Sequence, residues 1–180
     1  MRPGHLAVAA NAAVLTLGVH AMDLRPDGFE VMAGPGNHGA AQAAAGVVWN
    51  WDMRKERRVL FTGQTELIGT YWHADAIGGG SQGLGQVALV PVLRMQLDRG
   101  RSPWALELGV GISWLSRPYK TPDKTFSSSW NFYDVIGAAY RFGVGEGQEI
   151  GVRFNHVSNA GLKYPNPGED FLLLRYARKF

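Results

Sequence analysis

The sequence predicts an all-β protein, an eight-stranded antiparallel outer-membrane β-barrel. Three observations predict it. Segments of strand length alternate large and small residues at every second position, the period of a strand with two unlike faces. The connections alternate short and long, as in barrels with tight turns at one rim and loops at the other. The composition, 24 Gly with 6 Trp, 6 Tyr and 8 Phe in 180 residues, suits a sheet with aromatic surfaces better than a helical bundle. The chain has 0 Cys, which excludes a disulfide framework, a thiolate metal site and a cysteine nucleophile.

Residues 1–21 carry Arg2 and then a mostly small, apolar run ending in Val19-His20-Ala21. They read as a secretory signal peptide, which leaves residues 22–180 as a single transmembrane β-barrel domain. The other reading of the leader is a short buried helix; it is too short and too weakly apolar to span a bilayer dependably. The first strand is expected at 28–34 and the second at 42–51. A turn at 52–58 holds Arg54, Lys55, Arg57 and Arg58. A third strand covers 59–73, and a long break at 75–83 contains Gly78-Gly79-Gly80. The fourth strand covers 84–97, with a tight turn at 98–101. The fifth covers 104–114, followed by a long loop at 115–129. The sixth covers 130–142, with a turn at 143–147. The last two strands form a hairpin over 150–180 around a turn-rich loop at 159–169.

The fifth strand shows the period most clearly. Trp104, Leu106, Leu108, Val110, Ile112 and Trp114 share one face; Ala105, Glu107, Gly109, Gly111 and Ser113 share the other. Polar residues recur on that second face elsewhere, at Gln64, Glu66, Arg94, Glu149, Arg153 and Asn155. In a soluble sandwich or soluble eight-stranded barrel these would meet water. In a small membrane barrel they point into the lumen and must pair with one another. The net charge of +3 is modest, and no basic helix or aromatic-basic stripe suits nucleic acid.

The final hairpin carries the chemistry. Side chains repeat every two residues, so His156 and Ser158 share a face with Ile150, Val152 and Phe154, and Asp170 shares one with Leu172 and Leu174. If the apolar faces point outward, so do a hydroxyl, an imidazole and a carboxylate at adjacent strand ends. Those are the groups that nucleophilic acyl transfer requires. An isolated histidine in a strand is more often structural, but Ser158 stands only about 7 Å away along the strand. His38 and His73 have no supporting cluster, so no metal is expected. The glycine run at 78–80 reads as a flexible loop and not as a phosphate cradle.

The segment from His156 to Asp170 reads H-x-S-N-A-G-L-K-x-P-N-x-G and then an acid. T-G-x-x-x-x-x-G-T-Y-W stands at 62–72 and F-x-D-x-I-G-A at 132–138. With these motifs the region from Leu60 to the C-terminus resembles the outer-membrane lipid A 3-O-deacylases. The resemblance implies an esterase that removes the ester-linked 3-hydroxyacyl chain at position 3 of lipid A, with Ser158 as nucleophile and His156 as base. It implies a downstream acid. Counting from His156 and the parity of the strand favour Asp170, and Glu169 stays as the alternative. Asn159 would help form the oxyanion hole, or be a turn residue, or both; Gly161 would allow close approach and supply a further N–H.

The implied substrate is lipopolysaccharide in the outer leaflet, with the active site facing that leaflet and no cofactor. A homodimer is the implied assembly. On the outer loops Arg117, Lys120, Lys124 and Lys163 are the expected contacts for the anionic lipid. Two other readings remain at this level: a non-enzymatic outer-membrane barrel for adhesion or structural packing, and a soluble lipid-binding barrel with an apolar cavity.

Overall fold

Strict alternation along the chain produces eight strands: β1 (Gly28–Pro35), β2 (Ala41–Lys55), β3 (Val59–Asp75), β4 (Ser81–Leu97), β5 (Trp104–Leu115), β6 (Trp130–Phe142), β7 (Gln148–Ser158) and β8 (Glu169–Lys179). The structure is a computed structural model and describes residues 24–55 and 58–180. The expected leader at 1–21, with positions 56 and 57 of the basic turn, lies outside the described residues. Every strand pairs antiparallel with the next, and β1 pairs with β8, so the sheet closes without an edge.

Two connections are shorter than expected: β2 runs on to Lys55, into the turn expected at 52–58, and β3 and β4 close early. The break at 75–83 is shorter, because β3 and β4 stay paired up to Asp75 and Ser81. The hairpin is closed by residues 76–80, with Ala76 N–H donating to the Gly80 carbonyl at 3.0 Å. Gly78, Gly79 and Gly80 all take positive φ, which makes so tight a reversal possible.

The two faces sort as the alternation requires. On β5 exposed and buried residues alternate from Trp104 to Leu115 without a break. The outer wall presents Leu89 and Leu93 on β4, Leu108 and Ile112 on β5, Ile136 on β6, Val152 and Phe154 on β7, and Leu172 and Leu174 on β8. An apolar belt of this extent needs hydrocarbon around it. Aromatic residues frame it. Trp104 packs against Tyr140 near one rim, with centroids 5.0 Å apart, and Trp114 pairs across the strands with Trp130 near the other.

The interior holds the opposite chemistry. Glu30, Glu66, Glu107 and Glu149 are buried there with Arg94, Arg153 and Arg175. Arg153 reaches Glu66 with both terminal nitrogens, at 2.8 and 2.7 Å, and Glu107 with Nε at 2.8 Å. Arg175 bonds Glu30 at 2.6 Å and Glu149 at 3.0 Å, and Arg94 bonds Glu149 at 2.8 Å. Bidentate and bridging geometry offsets the desolvation of these ions. An apolar cavity for a soluble lipid carrier is therefore absent among the described residues; charge fills that space and the apolar surface faces out.

Above the charges the barrel is stoppered by aromatic rings. Trp72 of β3 and Phe171 of β8 meet edge to face at 4.7 Å, Trp72 meets Tyr119 at 5.3 Å, and Tyr119 meets Phe126 at 5.2 Å. Tyr119 and Phe126 belong to the connection at 116–129. That loop folds down onto the mouth of the barrel, beside the ends of β7 and β8.

Candidate active site

The site is built by register. On β7 His156 stands directly opposite Asp170 of β8, and Ser158 stands opposite Phe132 of β6. Outward parity, set by Val152 and Phe154 on one strand and Leu172 and Leu174 on the other, carries His156 and Asp170 to the apolar outer wall. Their side chains are about one-third exposed, at 35% and 36%. His156 Nδ1 and Asp170 Oδ1 are 2.6 Å apart, a short charge-assisted distance. The contact commits Nδ1 and leaves Nε2 to face other groups.

Gly168 forms the floor under the imidazole. A Cβ there would come within 2.5 Å of His156 Cε1 and 3.1 Å of Nε2, and its φ of +72° is left-handed. Glycine is required on both counts.

Ser158 is buried at 9%. Its Oγ accepts from Ala160 N–H at 3.4 Å, and among the described residues it makes no hydrogen bond with His156. The two residues stand at i and i+2 on one strand, so their Cα atoms are separated by about 7 Å and only side-chain rotation can join them. The structure thus brings together the imidazole and the carboxylate, with the hydroxyl close along the strand but turned toward the loop.

The loop at 159–168 begins with a tight reversal. Leu162 N–H donates to the Asn159 carbonyl at 3.0 Å, and Ala160 and Gly161 take φ of 53° and 74°. Two consecutive left-handed residues are what a type I′ turn demands. Asn159 is fully buried and its amide is occupied: Nδ2 donates to Ser128 Oγ at 2.8 Å and to the Lys163 carbonyl at 2.9 Å, while Oδ1 accepts from Gly161 N–H at 3.1 Å. Both expected oxyanion donors, the Asn159 amide and the Gly161 N–H, are engaged in holding this turn. The N–H that donates to Ser158 Oγ is that of Ala160, at 3.4 Å.

Glu169 faces inward and is fully buried. Its Oε1 accepts from Lys124 Nζ at 3.1 Å, from Asn37 N–H at 3.2 Å and from Asp170 N–H at 3.3 Å. Lys124, expected among the lipid-facing loop cations, turns inward; its ammonium also donates to the Gly168 carbonyl at 3.0 Å. The pull of the buried carboxylate explains the difference. Arg117, Lys120 and Lys163 stay exposed at the loop rim. Arg117 donates there to Gln82 Oε1 at 3.2 Å and to the Gly83 carbonyl at 3.1 Å. Burial, and then the Glu169 charge, hold the Tyr119 phenol above its ordinary range, so it stays protonated.

Two further residues complete the surroundings. Asn37, in the turn between β1 and β2, donates from Nδ2 to Asp170 Oδ2 at 3.2 Å. Asp134 of β6 is the cross-strand partner of His156 on its other side, half-buried on the outer face. A parity reading of β6, where Phe132, Asp134 and Ile136 share the outward side, is enough to find Asp134. No local pattern points to Asn37, which is 133 residues from Asp170 along the chain.

Comparison with known proteins agrees with this geometry. The family described as lipid A 3-O-deacylase (PagL) matches residues 39–179. The lipid A deacylase PagL of Pseudomonas aeruginosa is 35% identical over 135 residues, covering 73% of this chain and 73% of that protein. The lipid A deacylase PagL of Bordetella bronchiseptica is 35% identical over 116 residues, covering 64% of this chain and 61% of that protein. A crystal structure of the outer membrane enzyme PagL superposes with a TM-score of 0.71 at 28% identity, over 85% of this chain and 99% of that one. With the closed barrel, these matches make the protein an integral outer-membrane hydrolase, and the chain belongs to the lipid A 3-O-deacylase (PagL) family.

Proposed function

We propose that this barrel deacylates lipid A by hydrolysing the ester of the 3-hydroxyacyl chain at position 3, on its outer wall and facing the outer leaflet. The observation that carries the reading is the 2.6 Å pair between His156 and Asp170, held on an otherwise apolar surface. Ionisable groups facing hydrocarbon are costly without a task, and an imidazole oriented by a carboxylate is the base that a serine nucleophile requires.

In the reaction, Ser158 Oγ attacks the ester carbonyl carbon as its proton passes to His156 Nε2. Rotation of the Ser158 side chain away from Ala160 brings it to the imidazole; such contacts tighten when substrate binds. Asp170 holds Nδ1–H and stabilises the imidazolium. The negative charge on the carbonyl oxygen is met at the turn at 159–161, where the Ala160 N–H is freed as Ser158 Oγ rotates away. The bond from the acyl carbon to the sugar oxygen then breaks, and His156 returns its proton to that oxygen. Water, deprotonated by His156, attacks the acyl-serine, releases the 3-hydroxy fatty acid and restores Ser158. The chemistry uses no cofactor.

Arg117, Lys120 and Lys163, exposed at the loop rim, are placed to meet the anionic head of lipopolysaccharide. The homodimer rests on the resemblance alone; cross-linking in membranes tests it.

The deciding experiment is mass spectrometry of lipid A before and after exposure to the purified protein. Ser158→Ala and His156→Ala should each abolish release of the 3-hydroxy fatty acid while the barrel keeps its heat-modifiable gel mobility. Product formation at the wild-type rate by either folded variant removes the role assigned to that residue.

A further inference from the structure

We propose that Asn37 is a positioning residue for this reaction: the turn between β1 and β2 lays it against Asp170, where it fixes the carboxylate that orients His156. The inference rests on the reading of Ser158, His156 and Asp170 given above.

Three contacts carry it. Asn37 N–H donates to the Asp170 carbonyl and to Glu169 Oε1, each at 3.2 Å, and Asn37 Nδ2 donates to Asp170 Oδ2 at 3.2 Å. The two oxygens of Asp170 are thereby divided, Oδ1 to His156 and Oδ2 to Asn37. A carboxylate tied at one oxygen keeps a soft rotation about its terminal torsion. A donor on the second oxygen removes it, and the ring that depends on the carboxylate is held more narrowly.

The turn that carries Asn37 is itself fixed. Gly36 N–H donates to the Ala40 carbonyl at 2.7 Å, and Ala40 N–H to the Asn37 carbonyl at 3.0 Å. A Cβ on Gly36 would lie 2.7 Å from the Phe171 ring and 3.1 Å from the Asp170 carbonyl oxygen, so the turn packs directly on the start of β8. Below it, Glu169 Oε1 gathers the N–H groups of Asn37 and Asp170 together with the Lys124 ammonium. The buried acid beside Asp170 thus seats both partners of the Asn37–Asp170 contact.

The residue type fits the place. Beside two carboxylates the side chain must donate without adding negative charge, and it must be short enough to act from the turn; asparagine satisfies both. Asn37 is exposed in the free protein, and its hydrogen bond strengthens when a lipid covers the site and excludes water. Asn37 lies just outside residues 39–179, the part of the chain that matches the family.

The test uses the full barrel refolded in detergent micelles, with kcat and KM for lipid A deacylation measured for Asn37→Ala, Asn37→Asp, Asp170→Ala and the double variant Asn37→Ala/Asp170→Ala. Gel mobility with and without heating reports folding for each. Asn37→Ala should lower kcat about tenfold with KM little changed, the scale of one lost hydrogen bond to a charged group. Asn37→Asp, which keeps the size and the turn preference but replaces the donor with a third carboxylate, should lower kcat further, about a hundredfold. It carries the test if the alanine variant does not fold. In the Asp170→Ala background, Asn37→Ala should have no further effect. Wild-type kcat in folded Asn37→Ala and Asn37→Asp overturns the proposal, as does an undiminished Asn37 effect without Asp170, or a change confined to KM. A fully active Asp170→Ala is a separate result: it removes the acid from the mechanism, and the role of Asn37 with it.

Discussion

Gly168 lies against His156 so closely that the imidazole occupies the space where a side chain would begin. Gly168→Ala therefore has to displace either the ring or the start of β8. The left-handed φ of +72° adds strain of roughly 1–2 kcal/mol. The expected outcome is a barrel that still folds and a deacylation rate lowered by about a hundredfold, the scale of an ångström-sized misplacement at a reacting group. Steady-state kinetics on the detergent-folded variant checks it.

Asp170 and Glu169 are neighbours with opposite directions, and their substitutions should separate. Asp170→Asn keeps the shape but no longer favours the required imidazole tautomer; a loss of about 10³–10⁴ in kcat is expected, with normal folding. Glu169→Gln leaves the Lys124 ammonium buried without its counter-charge. It should loosen the outer loops, seen as faster proteolysis at 116–129, with a smaller loss of rate. If Glu169→Gln abolishes turnover and Asp170→Asn does not, the acid role belongs to Glu169.

Arg153 binds Glu66 and Glu107 in the middle of the lumen. Arg153→Met strips buried Glu66 of its bidentate partner and leaves Glu107 to Arg94 at 3.2 Å, and a destabilisation of about 3–5 kcal/mol is expected. The midpoint of urea unfolding in detergent or lipid bilayers should fall accordingly. Replacing Arg153, Glu66 and Glu107 together by apolar residues of similar volume should recover much of the loss.

Asn159 ties the turn after Ser158 to Ser128 and to the Lys163 carbonyl. Asn159→Ala removes both ties and the acceptor for Gly161 N–H, so the turn loses its anchor. Activity should fall by at least about tenfold, and amide exchange across 159–163 should quicken while the strands stay protected. Unchanged exchange with lost activity would assign Asn159 a direct part in holding the oxyanion.

Much of this architecture is legible one strand at a time. The alternation from Trp104 to Leu115 reports a two-faced strand directly, and the parity of β7 and β8 separates His156 and Asp170 from Glu169 from the residue order alone. What stays hidden depends on closure. Which arginine meets which glutamate in the lumen is decided by tilt and stagger across strands distant in sequence. Asn37 reaches Asp170 only because β1 pairs with β8. Lys124 reads as one more loop cation until the folded loop shows the buried carboxylate that draws it inward. The length of β3 and β4 was obscured by glycines, which mark a turn but not where pairing ceases. The Ser158 rotamer follows from a contact with Ala160 that spacing along a strand does not specify.

The packed interior also sets how this protein meets its surroundings. With guanidinium and carboxylate groups paired across the bore and Trp72, Tyr119, Phe126 and Phe171 packed edge to face over it, the reconstituted protein should be electrically silent in a planar bilayer. Deacylation on the outer wall, as proposed, would make encounter with lipid a two-dimensional search. Turnover should accordingly track the mole fraction of lipid A in the micelle or leaflet, not its bulk molarity.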